Sequence, residues 1–440
     1  MDRAVKEKIV ALSHVATWIL AISLYMAFNY IPAVGIVMIV LLAAALFLKW
    51  KNMSKDELIV SCIIAVGLLA GMIVKRYSIR MVIVSLVAVL SLYLLTKDTR
   101  ARNQAGNRSK IGKALGIIGY ALSGLICLLL FINIIYPDGL ISMTQGENGK
   151  YPSEVSMTVE DLDDMTVYRD VTYESQYENS TYTVYSLNDS KGVFFYIHGG
   201  GLVWGDKEAE NQNVYLNSIM NAGYSVVTVD YVLAPQNPFP QSVIQVNEAL
   251  KFFIDHAGDY DLDTSRIIVG GDSAGGMLSG LLAVTNTNPE YAKKLGVTPA
   301  VSGTAVTLKG YISIAGLVDV PRFGDTGNFL IDWMFNTMGR SAFGIADYDY
   351  SNDAKDLGSV LNNITQDFPP TYASDGNNGT FTDQGKDLIS KLNKLGISTE
   401  SYFPDRDVAV LYHTWELNTT TEQGQVNIEK TIAFMDEYMK

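Results

Sequence analysis

The chain has 440 residues, 48% of them hydrophobic, and a formal net charge of −13 at pH 7. That length holds more than one domain with a core of its own, and the acidic balance argues against a nucleic-acid partner. Four scattered histidines and two cysteines, Cys62 and Cys127, form no metal-ligand pattern and leave a soluble domain without a disulfide, so neither a metal nor a cofactor is expected.

The first 136 residues contain five apolar stretches, at about 9–28, 33–48, 58–74, 81–95 and 114–135. A cleaved signal peptide has one apolar core followed by polar sequence. Five in series predict an α-helical transmembrane region, although several are shorter than the roughly 20 residues that span a bilayer untilted. Basic residues then set the orientation. Arg3, Lys6 and Lys8, then Lys49, Lys51 and Lys55, then Lys97, Arg100, Arg102, Arg108, Lys110 and Lys113 fall on one side, against Lys75, Arg76 and Arg80 on the other. The positive-inside rule predicts a multi-pass protein of the cell membrane with a cytoplasmic N-terminus and, after five crossings, everything beyond Tyr136 outside. Charge divides the same way: residues 1–136 hold 15 Lys plus Arg against 5 Asp plus Glu, and the remainder 18 against 41.

Residues 137–180 are polar, with the acidic run Glu160, Asp161, Asp163 and Asp164, and read as a linker and the start of a cap. Residues 181–440 then alternate two patterns. Strands are predicted near 181–187, 193–197, 225–229, 266–270, 311–315, 371–375 and 399–403. Helices are predicted near 208–221, 240–256, 274–286, 383–395 and 423–438. Such alternation predicts a mostly parallel sheet with helices on both faces. Val243, Val246, Leu250 and Phe253 recur at helical spacing and read as core.

Two motifs in this region carry chemistry. The apolar run Val193 to Ile197 enters His198, Gly199, Gly200 and Gly201, a loop whose bare N–H groups can converge on one point where a negative oxygen develops. The apolar run Ile267 to Val269 enters Gly271, Asp272, Ser273, Ala274, Gly275 and Gly276 ahead of a helical segment. Strand, Gly-x-Ser-x-Gly turn and helix form the setting in which a serine is exposed on a strained elbow. Ser273 is therefore the candidate nucleophile.

Together with Asp230 to Pro235 and Pro238 to Pro240, these motifs resemble the hormone-sensitive-lipase-like branch of the α/β-hydrolases over roughly residues 185–440. The resemblance implies an α/β-hydrolase fold with a cap insertion, here at about 316–365, and an esterase or lipase-type acyl hydrolase. It implies an oxyanion hole of backbone N–H groups from the run Gly199, Gly200 and Gly201, chiefly the last two, together with Ala274.

In that fold the catalytic residues follow the order serine, acid, histidine. Only one histidine, His413, lies beyond Ser273, so elimination and position agree on it as the base; an imidazole near neutral pKa can take the serine proton and return it. The acid departs from the family pattern, because an ungapped comparison puts Gly379 at its place. Asp375, at a predicted strand end, is the first choice and Asp383 the second, although Asp383 also reads as the cap of the following helix. A diad without an acid, or an acid from Asp405 or Asp407, stays open. Phe329, Trp333, Phe335, Met338 and Phe343 read equally as the acyl-binding side of the cap or as its own small core.

The leading expectation is a membrane-anchored serine carboxylesterase or lipase-like hydrolase of a small-molecule or lipid ester, acting through an acyl-enzyme on Ser273. Deacetylation or acyl transfer on a cell-surface polymer or lipid would use the same residues. A non-catalytic binding protein that keeps the fold is the third reading, motivated by Gly379.

Overall fold

A computed structural model describes residues 54–74, 77–104, 136–145, 156–345 and 347–440, with residue 47 and scattered helical positions between 114 and 132. The chain forms two compact units, Met1–Leu140 and Ile141–Lys440.

In the first unit, α1 (Lys55–Ile73) and α2 (Tyr77–Gln104) pack together. Ser54 caps α1: its N–H donates to Glu57 Oε2 at 2.9 Å, the reciprocal arrangement of a capping box. Lys97 Nζ of α2 reaches Asp56 of α1 at 2.6 Å, and Tyr93 OH donates to the same carboxylate at 3.1 Å. These helices cover the stretches expected at 58–74 and 81–95, but among the described residues no helix is long and apolar enough to cross a membrane. Lys55, Asp56 and Glu57 occupy the first turn of α1, and α2 turns polar after Leu95. The stretches at 9–28 and 33–48 lie outside the described residues, and 114–135 is described only at scattered positions.

The second unit is built on a nine-stranded sheet. Its strands are β1 (Thr158–Asp161), β2 (Met165–Thr172), β3 (Thr181–Leu187), β4 (Val193–Ile197), β5 (Ser225–Val229), β6 (Ile267–Asp272), β7 (Leu308–Ile314), β8 (Thr371–Ser374) and β9 (Thr399–Tyr402), in the spatial order β1-β2-β3-β5-β4-β6-β7-β8-β9. The first three strands are antiparallel to their neighbours, and every pair from β5 to β9 is parallel. The continuous apolar runs explain the layering: β4, β5 and β6 are buried at every residue, as strands covered on both faces must be. Residues 158–172 correct the expectation of a plain linker and cap, since they form a hairpin that extends the sheet at its antiparallel edge.

The helices of this unit, in chain order after α3 (Pro137–Gln145), are α4 (Glu210–Asn221), α5 (Gln241–His256), α6 (Ala274–Thr287), α7 (Pro289–Leu295), α8 (Phe329–Phe343), α9 (Asn352–Asp356), α10 (Val360–Asn363), α11 (Thr382–Lys394) and α12 (Glu422–Tyr438). Val243, Val246, Leu250 and Phe253 of α5 join Leu278 and Leu281 of α6 and Leu388 of α11 in one core cluster. Tyr215 and Ile219 of α4 join Phe434 and Met435 of α12 in a second. The insertion between β7 and β8 holds α8, α9 and α10. At the other end of the unit, Ile141 enters the larger core and Gln145 Nε2 donates to the carbonyls of Val203 and Ala234 at 2.6 and 2.7 Å. The segment just before the described sheet is thus pinned beside the glycine loop.

Candidate active site

Ser273 stands between β6 and α6 with φ 55° and ψ −118°, a conformation that costs an L-residue of order 1–3 kcal/mol and persists only when its surroundings enforce it. They do. Its N–H donates to Ile314 O at 2.8 Å, and its carbonyl accepts from Met277 and Leu317 N–H at 3.2 and 3.1 Å. A Cβ at Gly271 or Gly275 would come within 2.2 or 2.0 Å of Ile197 O, so the elbow closes only with glycine at both positions.

The glycine loop leaves the end of β4 and lies against this elbow. Gly200 and Gly201 take φ +113° and +64°, and the N–H groups of Val203 and Trp204 fold back onto Gly200 O. The Gly199 N–H donates to Asp272 Oδ1 at 2.9 Å, where Tyr196 OH also donates at 2.5 Å. Gly199 is therefore removed from the expected oxyanion donors, because its hydrogen is already committed. The N–H groups of Gly200, Gly201 and Ala274 have no acceptor among the described residues, and Ala274 is the first residue of α6, where an N–H is unpaired by helix geometry. Beneath the loop, Tyr231 stacks on the His198 ring at 4.3 Å and donates to His198 O at 3.0 Å. Asp230 holds Lys207 through its N–H at 2.8 Å and its Nζ at 3.0 Å. These residues of the sequence motifs hold the loop in place.

His413 comes from the loop between β9 and α12, and its Nε2 lies 2.8 Å from Ser273 Oγ. Phe335 of α8 and Phe381 present ring edges to it at 5.4 and 5.0 Å between centroids, and burial pushes the imidazole down to about 4, which keeps it neutral and able to accept a proton. Its Nδ1 meets no carboxylate. The partner is Thr380 Oγ1 at 2.9 Å, and Thr380 Oγ1 donates in turn to Asp375 Oδ1 through a short hydrogen bond. Asp375 is 1% exposed and accepts from the Gly376 N–H at 2.6 Å. Burial pushes its carboxyl up to about 7, against the opposing effect of these two donors.

Of the remaining candidate acids, Asp383 is exposed in the first turn of α11, where Phe381 and not Asp383 is the cap residue. Asp405 and Asp407 are exposed on the loop after β9. The cap aromatics divide: Phe335 and Met338 face the site, and a Cβ at Gly201 would meet Met338 Sδ at 2.5 Å. Phe343 packs on Tyr348 of the cap and on Phe239 of the segment before α5. Thr380 is the site residue that sequence reasoning missed, as a lone threonine in a loop carries no pattern. Asn377 is a second. Its Nδ2 donates to Ala409 O at 2.8 Å and Pro404 O at 3.1 Å, and its Oδ1 accepts from Leu411 N–H at 3.1 Å, tying the loop after β8 to the one that carries His413.

Residues 182–392 match the BD-FAE family. A curated relative named as an alpha/beta hydrolase of Acanthamoeba polyphaga mimivirus is 27% identical over 226 residues, which are 48% of this chain and 59% of the relative; the chain thus spans well under two thirds of that relative's length. Among solved structures, esterase B from Lactobacillus rhamnosis bound to a C6-C4 SN3 inhibitor superposes with a TM-score of 0.52 at 16% identity, over 68% of this chain and 92% of that one. The same esterase inhibited by a C4-C4 SN3 tributyrin phosphonate gives 0.53 at 17% identity, over 68% and 91%. With the parallel sheet, the elbow after β6 and the cap between β7 and β8, these likenesses establish that the second unit has the α/β-hydrolase fold.

Proposed function

We propose that the chain is a serine carboxylic ester hydrolase. The observation that carries this reading is Ser273 Oγ, on a strained and enforced elbow, 2.8 Å from Nε2 of a neutral imidazole. Ser273 Oγ attacks the ester carbonyl while its proton passes to His413 Nε2. The oxygen that becomes negative lies toward the free N–H groups of Gly200, Gly201 and Ala274. Nε2 then gives the proton to the leaving alcohol, and water, deprotonated by the same nitrogen, releases the acid and restores the serine. Structural likeness to an esterase inhibited by a tributyrin phosphonate is consistent with this chemistry. Phe335 against His413 and Met338 against Gly201 favour a short acyl chain.

We further propose that residues 1–136 attach this domain to a membrane. Support comes from the five apolar stretches and from the outward apolar side chains of the helix pair, among them Ile59, Val66, Val82 and Val89, each more than half exposed.

The test is labelling of the full chain with a fluorophosphonate, alongside hydrolysis of p-nitrophenyl acetate. Wild type should label and turn over, and Ser273→Ala should lose both. Labelling that survives Ser273→Ala would end the serine-hydrolase reading.

A further inference from the structure

The group at His413 Nδ1 is a hydroxyl, and hydrogen-bond bookkeeping fixes what it does. A threonine Oγ1 has one hydrogen and two lone pairs. Asp375 Oδ1 already accepts the Gly376 N–H at 2.6 Å, a contact that favours the ionised carboxylate against the burial that opposes it, and above about pH 7, where Asp375 is ionised, it can only accept. The single Thr380 hydrogen therefore points to Asp375, and a lone pair of Oγ1 faces His413 at 2.9 Å. Nδ1 must then carry its hydrogen. That leaves Nε2 unprotonated toward Ser273 Oγ at 2.8 Å, which is the tautomer a general base requires. The opposite direction, with a protonated Asp375 donating to Thr380 and Thr380 to Nδ1, would put the hydrogen on Nε2 and disable the base.

The backbone holds this arrangement on several sides. Gly379 takes φ +66° immediately before Thr380, and a Cβ there would meet Ile331 Cγ1 at 3.0 Å. The N–H groups of Asn377 and Asn378 both donate to Leu411 O, at 2.9 and 3.1 Å, and the Asn377 side chain adds its three bonds across to the same loop. Thr380 and His413 are thus fixed by two loops joined backbone to backbone.

We infer that Thr380 is the positioning residue of this site: its hydroxyl sets the His413 tautomer and transmits the Asp375 charge to the imidazole. The inference rests on the serine-hydrolase reading above. No proton crosses the bridge. The proton taken from Ser273 stays on Nε2, the Nδ1 hydrogen stays in place, and Asp375 stabilises the imidazolium through a polarised hydroxyl.

The experiment is a substitution cycle on the full chain, read by kcat and KM for p-nitrophenyl acetate across pH. Thr380→Val, which keeps the shape and removes the hydroxyl, should lower kcat by on the order of a hundredfold with KM nearly unchanged. The acid limb of its profile should move to lower pH, because the imidazolium has lost its acceptor. Thr380→Ser should stay within about threefold of wild type, since serine offers the same donor and acceptor. Asp375→Asn added to Thr380→Val should cost little more than the worse single change, as a group acting through another must. Thr380→Ala carries the same test should valine disturb the packing. Near wild-type turnover in Thr380→Val and Thr380→Ala, or losses that add in the double variant, would overturn the inference while Ser273→Ala remains inactive. Activity surviving Ser273→Ala would instead overturn the reading beneath it.

Discussion

Two carboxyls lie buried behind His413, and the hydrogen bonds they receive decide which one carries charge. Asp375 has donors in Thr380 and Gly376. Glu416 is fully buried, and the donors beside it, Ser374 and its own backbone N–H, only partly offset that burial. Burial first, and the Asp375 charge second, push the Glu416 carboxyl well above its ordinary value, so the shared negative charge belongs on Asp375. The stability consequence follows in sign. A carboxyl whose pKa is raised on folding binds more protons folded than unfolded, so its contribution is complete below about pH 4 and is lost as pH rises, at about 1.4 kcal/mol per pH unit for one group. Glu416→Gln should therefore raise the melting temperature relative to wild type more at pH 8 than at pH 5; equal shifts at both would mean that Glu416 is ionised when folded. For catalysis, the groups around the relay are Asp375, Asp383, Glu416 and His413. With His413 held near 4 and Asp375 near 7, kcat/KM should fall partly as pH drops through 7 and completely only near 4. A single acid limb at 6.5 would refute this. Ser273 and the glycines were legible in the sequence because each sits in a motif whose spacing is local, and His413 because it is the one histidine beyond Ser273. Thr380 and Glu416 were not, because their roles arise from contacts across loops that only the fold brings together.

At the level of elements, the edge strand β9, with no buried residue, was legible from the alternation of strand and helix patterns. The central strands β4, β5 and β6 were legible because they are buried on both faces, where the apolar run itself is the signal. The hairpin of β1 and β2 was missed for the converse reason. Thr158 to Asp161 are all exposed, and an edge strand rich in charge guards against unwanted pairing while resembling a linker in sequence. Helix α8 escaped because its apolar residues serve two surfaces at once, Phe343 against Phe239 and Tyr348, and Phe335 and Met338 toward the catalytic loops. Met338 is the residue of α8 set against Gly201, so its length limits the space above the oxyanion donors. Met338→Ala should raise kcat/KM for p-nitrophenyl hexanoate relative to the acetate by roughly tenfold or more, at the 1–3 kcal/mol that a methylene contributes in an apolar pocket. An unchanged ratio would place the acyl chain elsewhere. Helix α11 offers a control. Asp383 is exposed in its first turn, where a negative charge is worth about 0.3–1 kcal/mol, so Asp383→Asn should lower the melting temperature slightly and leave turnover intact. A large loss of turnover would return Asp383 to the catalytic machinery.

Across the whole molecule, charge and apolarity are partitioned in a way that neither unit needs for its own folding. The 15 basic residues of the first 136 stand against 5 acidic ones, and the rest of the chain reverses the balance with 41 acidic against 18 basic. A negative surface keeps a domain soluble and says nothing about its fold. The basic residues are more informative, since twelve fall between alternate apolar stretches on one side and three on the other. The described helices α1 and α2 place Ile59, Val66, Val82 and Val89 outward, an arrangement that leaves apolar surface uncovered in water. Their apolar runs are shorter than a full bilayer core, a mismatch that membranes accommodate by local thinning or by helix association at fractions of a kcal/mol per Å. Membrane attachment and the positive-inside rule together predict that a protease added to intact cells digests the region beyond Tyr136, while the loop from Lys97 to Lys113 stays protected until the membrane is opened. Release of an active, labelled fragment by that protease would place the serine site outside. A reporter fused after Lys440 that works only in the cytoplasm would reverse the orientation. Full recovery of the chain in the soluble fraction without detergent would remove the membrane from the account, leaving the chemistry at Ser273 unaffected.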